Sequence, residues 1–470
     1  MHLTGLRPPT RIRRWRPRSA HPAQVIVASY AVVLAAGTAL LMLPVSVAAD
    51  PPATLLPADI GPAGGATLVD AVFTAGSALF VTGLVVVDTA TYWSDVGHVV
   101  ILALIEIGGL GVMTLASLMG VALARRLGLR TRLATTASVG TLSSDDLRGV
   151  LVGVATVALI IQAGTATVLT ARLLVGYDYS PGLALWHGVF HAGSAFNNAG
   201  FALYSDNLMG FVTDPWISLP VGLAVILGGL GFPVFLELRR HYRLPRAWGL
   251  TTRLVLVGTA ALLLGGWVTI TALEWDNAET LGPLSWPGKL LAGFFASAVT
   301  RTAGFNSLDV SQMNTQTWFT QDVLMFIGAG PAGTAGGLKV TTVAVLVAVV
   351  VAEVRGEATV NLLGKRVGRS VQRQAVTVAV LSGALVMATT WTLLVTTRFT
   401  LDQLLFEVIS AFATVGLSTG ITHLLPDGGQ LLLVVVMFVG RVGPVTLATA
   451  LALRTRTLLY ELPKERPLIG

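Results

Sequence analysis

The chain has 470 residues, of which 53% are hydrophobic and 12% are charged, and its formal net charge at pH 7 is +7. Soluble globular domains carry about 25% charged residues, so this composition is typical of a helical integral membrane protein. The chain contains no cysteine, which excludes disulfide bonds, thiol catalysis and thiolate metal sites.

Basic residues are unevenly distributed along the chain. They cluster in the amino-terminal tail, in three connections and in the carboxy-terminal tail, and the loops between the clusters are acidic. The five clusters begin at Arg7, Arg125, Arg239, Arg355 and Arg454. Because cytoplasmic loops are enriched in Lys and Arg, both termini and the three connections are predicted to be cytoplasmic. Topology therefore explains the positive charge, and no nucleic-acid partner is predicted.

Eight hydrophobic runs predict eight spans of the lipid bilayer, each close to or above the length of about 20 residues that a spanning helix needs. In chain order they are Ala23–Val45, Val99–Ala124, Val150–Val175, Ile217–Phe235, Leu250–Leu273, Trp318–Ala352, Ala375–Val395 and Leu431–Leu453.

A signal peptide is the alternative interpretation of the first run. Arg13-Arg14 precedes this run, and Val47-Ala-Ala49 resembles a cleavage site. The apolar stretch is longer than the core of about 7 to 15 residues that signal peptides contain, which favours a retained span.

One pattern, a Phe that stands ten residues before a Gly, occurs four times. The copies are Phe73–Gly83, Phe190–Gly200, Phe294–Gly304 and Phe406–Gly416, and the residue four positions after each Phe is small. The first part of each copy predicts a helix too short to cross a bilayer. The final glycine tolerates positive φ. Since non-helical backbone at membrane depth survives only beside a watery cavity or inside protein, we predict four re-entrant segments.

Each unit of span, re-entrant segment and span begins and ends at a basic segment, so the units share one orientation. The predicted fold is an all-α membrane protein with four parallel helix–re-entrant pore loop–helix repeats, arranged with pseudo-fourfold symmetry around one pore. The repeats cover residues 23–126, 148–240, 250–353 and 375–456, between cytoplasmic tails at 1–22 and 457–470. Inverted repeats, which are common in alternating-access carriers, are absent from this pattern. Rings of carbonyl oxygens on a common axis predict a filter for a monovalent cation such as potassium.

Several motifs resemble the Trk/Ktr/HKT superfamily of potassium transporters, and most closely the membrane subunits of the bacterial Trk and Ktr systems. Besides the four repeated segments they are Thr300-Arg-Thr-Ala-Gly-Phe-Asn306, Gly333-Thr-Ala-Gly-Gly-Leu-Lys339 and Gly440-Arg-Val-Gly-Pro444. The resemblance extends from Ala23 to about Leu453. It implies four covalently linked channel-like units around one pore, a homodimer in the plasma membrane, and a separate cytoplasmic regulatory subunit, KtrA- or TrkA-like, with nucleotide-binding RCK domains.

The resemblance also implies which residues form the selectivity filter. They are Val81, Thr82, Gly83, Asn198, Ala199, Gly200, Thr302, Ala303, Gly304, Thr414, Val415 and Gly416. In some plant members a serine at the first glycine position is associated with sodium preference. Glycine at all four positions favours potassium as the transported ion, with sodium as the alternative. No resident cofactor is predicted.

A glycine-rich run interrupts the sixth predicted span. Its start, Gly328-Ala-Gly-Pro-Ala-Gly333, matches a dinucleotide fingerprint, and Glu353 stands twenty residues beyond. That fold requires a helix where Thr334-Ala-Gly-Gly337 stands, so the run is interpreted as a break in the span. By resemblance the break is an intramembrane gate, and a plain helix kink is the alternative. The implied gate residues are Gly328, Gly330, Gly333, Thr334, Gly336, Gly337, Lys339 and Arg441.

Arg441 lies within the last predicted span and cannot lose its proton. The resemblance implies a position in the pore beneath the filter, where its charge slows conduction. The alternative is a side chain that reaches the inner membrane surface, although about a dozen residues separate Arg441 from Arg454.

Three further polar features fit two interpretations each. Glu106 is either a cation waypoint or a residue bonded to a neighbouring helix. Arg301 is expected to hold re-entrant backbone in place rather than to touch the ion. His187 and His191 have a zinc-compatible spacing but lack the Glu of HExxH, so packing or hydrogen bonding is favoured.

The sequence therefore predicts a non-enzymatic subunit for potassium uptake. A Na+- or H+-coupled symporter of K+ or Na+, or a secondary carrier of another solute, is the main alternative. A membrane oxidoreductase that binds a nucleotide at the Gly328 run is a further one.

Overall fold

The computed structural model describes residues 22–49, 65–126 and 144–443. Nearly all of the predicted tail 1–22, the whole of the tail 457–470 and the end of the fourth repeat, 444–456, lie outside the described residues.

Most of the described residues are in helices. The helices are α1 Pro22–Leu41, α2 Leu68–Leu79, α3 Thr89–Tyr92, α4 Asp95–Arg126, α5 Ser144–Gly176, α6 Pro181–Phe196, α7 Pro215–Leu230, α8 Phe232–His241, α9 Leu250–Glu274, α10 Trp286–Thr300, α11 Thr315–Phe326, α12 Val340–Val354, α13 Arg369–Thr396, α14 Leu401–Ala413 and α15 Asp427–Val442. Between α12 and α13, β1 Asn361–Leu362 and β2 Lys365–Arg366 form an antiparallel hairpin.

Three helical stretches in the described residues are long and apolar enough to cross a membrane unaided. They are Val152–Gly176, Leu250–Glu274 and Arg369–Thr396. The other predicted spans coincide with α1, α4 and α15, with the bent pair of α7 and α8, and with the separate helices α11 and α12. The helical membrane class is therefore clear, and the breaks fall in the second and third repeats.

Helices α7 and α8 meet at an angle of 91°, whereas the sequence predicts one continuous span, Ile217–Phe235. The bend lies at Gly231, whose φ of 89° is rarely adopted by residues with a side chain. A Cβ atom there would overlap the carbonyl oxygen of Pro331. The chain turns at this point because the N–H of Phe232 bonds Ala332 O, at 3.3 Å, in a loop of the third repeat.

Each of the four repeated segments begins with a helix of the predicted short kind, and we call α2, α6, α10 and α14 the segment helices. Local signals fix their starts. The Thr67 hydroxyl accepts the N–H of Asp70 at 3.2 Å, and the N–H of Thr400 donates to Gln403 Oε1 at 3.2 Å. Pro181 opens α6 at a position where a missing N–H costs nothing.

The repeats contact one another in a closed ring. The long helix that follows each segment helix packs against the segment helix of the next repeat: α4 against α6, α7 against α10, α11 against α14, and α15 against α2. Each segment helix also packs on the helix that precedes it in the chain. The carboxyl ends of the segment helices therefore lie inside the ring.

Glycines on the long helices permit the close approach of the segment helices. A Cβ on Gly108, Gly228 or Gly440 would overlap a carbonyl oxygen of Leu79, Phe196 or Phe412 respectively. Each of these carbonyls belongs to the residue four positions before the final glycine of its segment. The same contact thus recurs in repeats one, two and four.

This packing predicts that Gly440→Ala destabilises the protein by about 1–3 kcal/mol, because the added methyl group forces α15 away from α14. Gly164→Ala is the matched control. Gly164 also lies within a long helix, but nothing stands within 4 Å of a Cβ there, and alanine favours the helix by about 1 kcal/mol. Thermal unfolding of the purified proteins measures both changes. Equal melting temperatures for the two variants would contradict the packing argument.

Candidate functional site

The chain leaves three of the segment helices through the same unusual backbone conformation. Two residues before the final glycine, φ is 58° at Val81, 62° at Asn198 and 50° at Thr414. The glycines that end these segments are also left-handed, with φ of 91° at Gly83, 73° at Gly200 and 97° at Gly416. Non-glycine residues with positive φ are uncommon, so their repetition at equivalent positions marks a functional backbone.

We call the stretches 81–83, 198–200, 302–304 and 414–416 the glycine segments. The structure brings their four glycines together in a cycle. A Cβ atom built on each glycine would stand close to the Cα atom of the next glycine in the cycle. The distances are 3.3 Å from Gly83 to Gly200, 2.5 Å from Gly200 to Gly304, 2.7 Å from Gly304 to Gly416 and 2.9 Å from Gly416 to Gly83. Carbon atoms in contact prefer a separation of about 3.5–4.0 Å. Each of the four positions therefore has too little space for a side chain, and only glycine fits.

Carbonyl oxygens lie directly against this cycle of glycines. The oxygens of Thr82 and Ala199 are the nearest atoms to a Cβ placed on Gly416 and Gly83, and Val415 O would stand 2.8 Å from one on Gly304. Each belongs to the residue immediately before a segment glycine. Clustered carbonyl oxygens of this kind are the groups that replace the hydration shell of a monovalent cation.

Serines of the segment helices hold the backbone beside the glycines. The Ser77 hydroxyl accepts the N–H of Gly83 at 3.0 Å and donates to Leu84 O at 2.7 Å. Ser410 accepts the N–H of Gly416 at 3.0 Å, and Ser194 donates to Phe201 O at 2.8 Å. A small residue was expected at this position, without a role. The recurrence of serine in three of the four copies was the signal for this supporting role.

The third segment departs from the other three. Ala298 stands where they have serine, and neither Thr302 nor Gly304 has positive φ. The side-chain amide of Asn198 is instead hydrogen-bonded to the Thr302 hydroxyl at 2.9 Å and connects the second and third segments. With Oδ1 turned towards Thr302, the amide also accepts the hydroxyl of Thr334 at 3.3 Å.

Arg301 precedes this third segment and is 4% exposed. Its Nε and Nη2 atoms have no hydrogen-bond partner among the described residues. The expected bond from these atoms to re-entrant backbone is therefore not seen.

A cavity of about 470 Å³ opens on one side of the glycines. All four segment glycines line it, together with three aspartates from the loops that follow the first three segments: Asp88, Asp206 and Asp309. Carboxylates around a concave mouth raise the local concentration of cations. Tyr204 also lines the wall, and burial raises the pKa of its phenol, so that group is uncharged. From the sequence, these aspartates indicated only which loops are acidic, and their convergence was not predicted.

The non-helical stretch 327–339, which we call the glycine-rich loop, separates α11 from α12 as the glycine content predicts. It is bonded to the end of α7, since Gly330 N–H donates to Gly229 O at 2.9 Å and Thr334 N–H to Gly228 O at 3.2 Å. A Cβ on Gly336 would overlap the Thr414 hydroxyl, so the loop also touches the fourth glycine segment. The helix that a dinucleotide fingerprint requires is absent from 327–339, which excludes that interpretation.

The predicted gate residues lie in this loop or are bonded to it. Arg441 is 6% exposed, donates to Thr334 O through Nη1 and donates to Gly108 O through Nη2 at 3.0 Å. It is therefore buried between the loop and α4 rather than extended to the membrane surface. Lys339 Nζ donates to the loop carbonyls of Ala335 and Gly336.

Of the remaining polar candidates, Glu106 and His191 are hydrogen-bonded within the protein, whereas His187 Nδ1 has no partner among the described residues. Glu106 Oε1 accepts from Gln162 Nε2 at 2.9 Å, which favours its interpretation as a contact between helices. His191 uses both ring nitrogens, with His187 O at 2.7 Å and the N–H of Leu203 at 3.2 Å. Within the described part of the chain, no group of three His, Cys, Asp or Glu residues is arranged to hold a metal ion.

A ring of helical repeats that surrounds clustered backbone carbonyls, with an acidic cavity on one side and a buried arginine bonded to a loop, defines a membrane cation transport protein. Residues 9–456 match the family described as "TrkH: Cation transport protein". The chain belongs to this family, and the family predicted from the sequence is confirmed.

Relatives and a solved structure agree with this assignment. The chain is 38% identical over 421 residues to Ktr system potassium uptake protein B of Vibrio alginolyticus, covering 89% of this chain and 92% of that one. It is 30% identical over 456 residues to the potassium/sodium uptake protein NtpJ of Enterococcus hirae, with 96% and 97% covered. The crystal structure of the potassium transporter TrkH from Vibrio parahaemolyticus has the same fold, with a TM-score of 0.72, 17% identity, and 94% and 87% covered.

Proposed function

We propose that this chain mediates potassium uptake across the plasma membrane through a pore whose selectivity filter is the four glycine segments. The observation that carries the proposal is the cycle of glycines, with the carbonyl oxygens of the preceding residues packed against it. The relatives named for potassium uptake support the choice of ion. Potassium rather than sodium is favoured because all four positions hold glycine, whereas the resemblance associates sodium preference with a serine at the first of them.

The four repeats surround a pseudo-fourfold axis that passes between the glycines, with eight spans and both termini on the cytoplasmic side. The ring of helix contacts supports this arrangement. The cavity lined by Asp88, Asp206 and Asp309 then faces outward and collects cations. Uptake is driven by the membrane potential, which supplies about 2.3 kcal/mol per 100 mV for a monovalent ion.

The glycine-rich loop and Arg441 form the gate below the filter. Arg441 connects the loop at Thr334 to α4 at Gly108, across the proposed ion path, and its charge cannot be removed by deprotonation. The loop touches Thr414 of the fourth segment, which puts the barrier directly next to the filter. Conduction requires these two hydrogen bonds to break and the loop to move aside.

Two partners complete the proposed system. A second copy of the chain forms a homodimer, and a separate cytoplasmic subunit with nucleotide-binding RCK domains controls the gate. The support is that relatives with 38% and 32% identity are named as proteins of a "Ktr system".

The function is tested by growth of potassium-uptake-deficient bacteria at low potassium. The wild-type chain is expected to restore growth. Gly83→Ser is expected to lower the preference for potassium over sodium about tenfold, or about 1.4 kcal/mol, because a side chain at this crowded position displaces the Ala199 carbonyl.

Gly356→Ser is the matched control for Gly83→Ser. Gly356 also has positive φ, at 66°, but nothing lies within 4 Å of a Cβ there, so its substitution should leave ion preference unchanged. Absence of growth rescue by the wild-type chain, or unaltered ion preference in Gly83→Ser, would contradict the proposed function.

The gate is tested by Arg441→Ala in reconstituted vesicles. Potassium flux is expected to rise about tenfold, since two hydrogen bonds from a charged group, worth about 1.5–3 kcal/mol each, no longer hold the loop. Arg253→Ala serves as the control, because Arg253 also donates to backbone carbonyls, but these belong to Pro245 and Arg246 and not to the glycine-rich loop. Unchanged potassium uptake by Arg441→Ala would contradict a gating role.

A further inference from the structure

Glu407 is a completely buried carboxylate on segment helix α14, nine residues before Gly416. An ionised carboxylate in such a place is costly unless its oxygens are hydrogen-bonded. Glu407 lies outside the glycine segments, and it is not among the filter or gate residues that the family resemblance implies.

The loop after the fourth glycine segment satisfies this carboxylate. Glu407 Oε1 accepts from the Ser418 hydroxyl and from the N–H of Thr419 at 3.0 Å. Glu407 Oε2 accepts from the Thr422 hydroxyl at 2.9 Å. The Ser418 and Thr422 hydroxyls are themselves 2.9 Å apart. One side chain therefore fixes three positions of the loop 417–422.

This loop forms part of the wall of the acidic cavity. Gly416, Ser418 and Thr422 all line that cavity. Left-handed glycines stand on both sides of Ser418, with φ of 97° at Gly416 and 89° at Gly420. Glycine allows a wide range of backbone dihedral angles, so hydrogen bonds are needed to fix the conformation of this loop.

The second repeat uses the same position for the same purpose. His191 stands nine residues before Gly200 and accepts the N–H of Leu203, three residues after that glycine. Glu407 accepts the N–H of Thr419, which is three residues after Gly416. The equivalent residues in the first and third repeats are Thr74 and Phe295.

We propose that Glu407 is a positioning residue for ion selectivity, which holds the outer loop of the fourth glycine segment from behind. This inference rests on the proposed function. Helix α14 is hydrogen-bonded to the segment and its following loop at two points: Ser410 accepts the N–H of Gly416, and Glu407 accepts the N–H of Thr419. Glu407 is hydrogen-bonded to three residues of the loop, Ser418, Thr419 and Thr422, whereas the Ser410 hydroxyl accepts one hydrogen bond, from Gly416. Without Glu407 the carbonyls next to Gly416 lose the fixed distance on which discrimination between potassium and sodium depends.

Glu407→Gln and Glu407→Leu test this role in vesicles that contain the full-length protein, by uptake of radioactive rubidium in competition with potassium or sodium. Glu407→Gln keeps the shape and one acceptor oxygen, and the preference for potassium over sodium is expected to fall about threefold. Glu407→Leu removes every acceptor, and a fall of about tenfold or more is expected. If Glu407→Leu does not yield folded protein, the isosteric Gln variant carries the test alone.

Glu274 provides a matched control. It is also fully buried and accepts from the N–H of Asn314 at 2.9 Å, the Thr280 hydroxyl at 2.7 Å and the Thr317 hydroxyl. None of these partners lines the acidic cavity. Glu274→Gln is therefore expected to lower the melting temperature while the ion preference stays that of the wild type.

The outcomes separate the two proposals. Wild-type vesicles that take up no potassium would overturn the proposed function and this inference with it. A selective wild type with unaltered selectivity in both Glu407 variants would overturn the inference alone. An equal loss of selectivity in Glu274→Gln would also overturn it, because Glu407 would then act only through general stability.

Discussion

The whole structure depends on one steric constraint, which is that four chain segments approach one another too closely for any side chain. Gly200 and Gly304 are so near that a Cβ atom on the first would stand 2.5 Å from the Cα of the second. Only glycine satisfies this constraint, so the backbones of the four segments come into direct contact. In the filter that we propose, backbone carbonyls bind the cation through oriented dipoles and no titratable group takes part. The proposed selectivity then depends on geometry, which the rest of the protein must hold in place.

Several groups of residues around the glycine segments hold this geometry in place. Glycines such as Gly108 and Gly440 let the long helices press against the ends of the segment helices. Serines such as Ser77 fix the backbone at the segment glycines, and Glu407 fixes the loop that follows the fourth one. Arg441 joins the same framework to the glycine-rich loop. Ser77, Glu407 and Arg441 all act through hydrogen bonds to backbone groups, which must find partners within the protein where water is scarce.

The sequence predicted much of this because hydropathy and a four-times repeated Phe-to-Gly spacing are local properties of the chain. The 91° bend at Gly231 was not predictable, since it depends on Pro331 and Ala332 from another repeat. The convergence of Asp88 and Asp309 likewise depends on how distant loops fold together. The third segment lacks the left-handed backbone of its counterparts, and its sequence has Ala298, Val299 and Thr300 where the other copies have Ser, Ala and Leu or Phe. Contacts between distant parts of the chain decided the bend at Gly231 and the convergence of the aspartates.

The account is tested most directly by locating bound ions in a structure of the protein determined in rubidium or thallium, whose anomalous scattering identifies them. We expect ion density on the axis between Gly83, Gly200, Gly304 and Gly416, within coordination distance of the carbonyl oxygens of Thr82, Ala199 and Val415. Replacement of rubidium by sodium should weaken this density. If the glycine cycle stays without an ion at saturating rubidium while rubidium occupies another part of the protein, the carbonyl filter is contradicted.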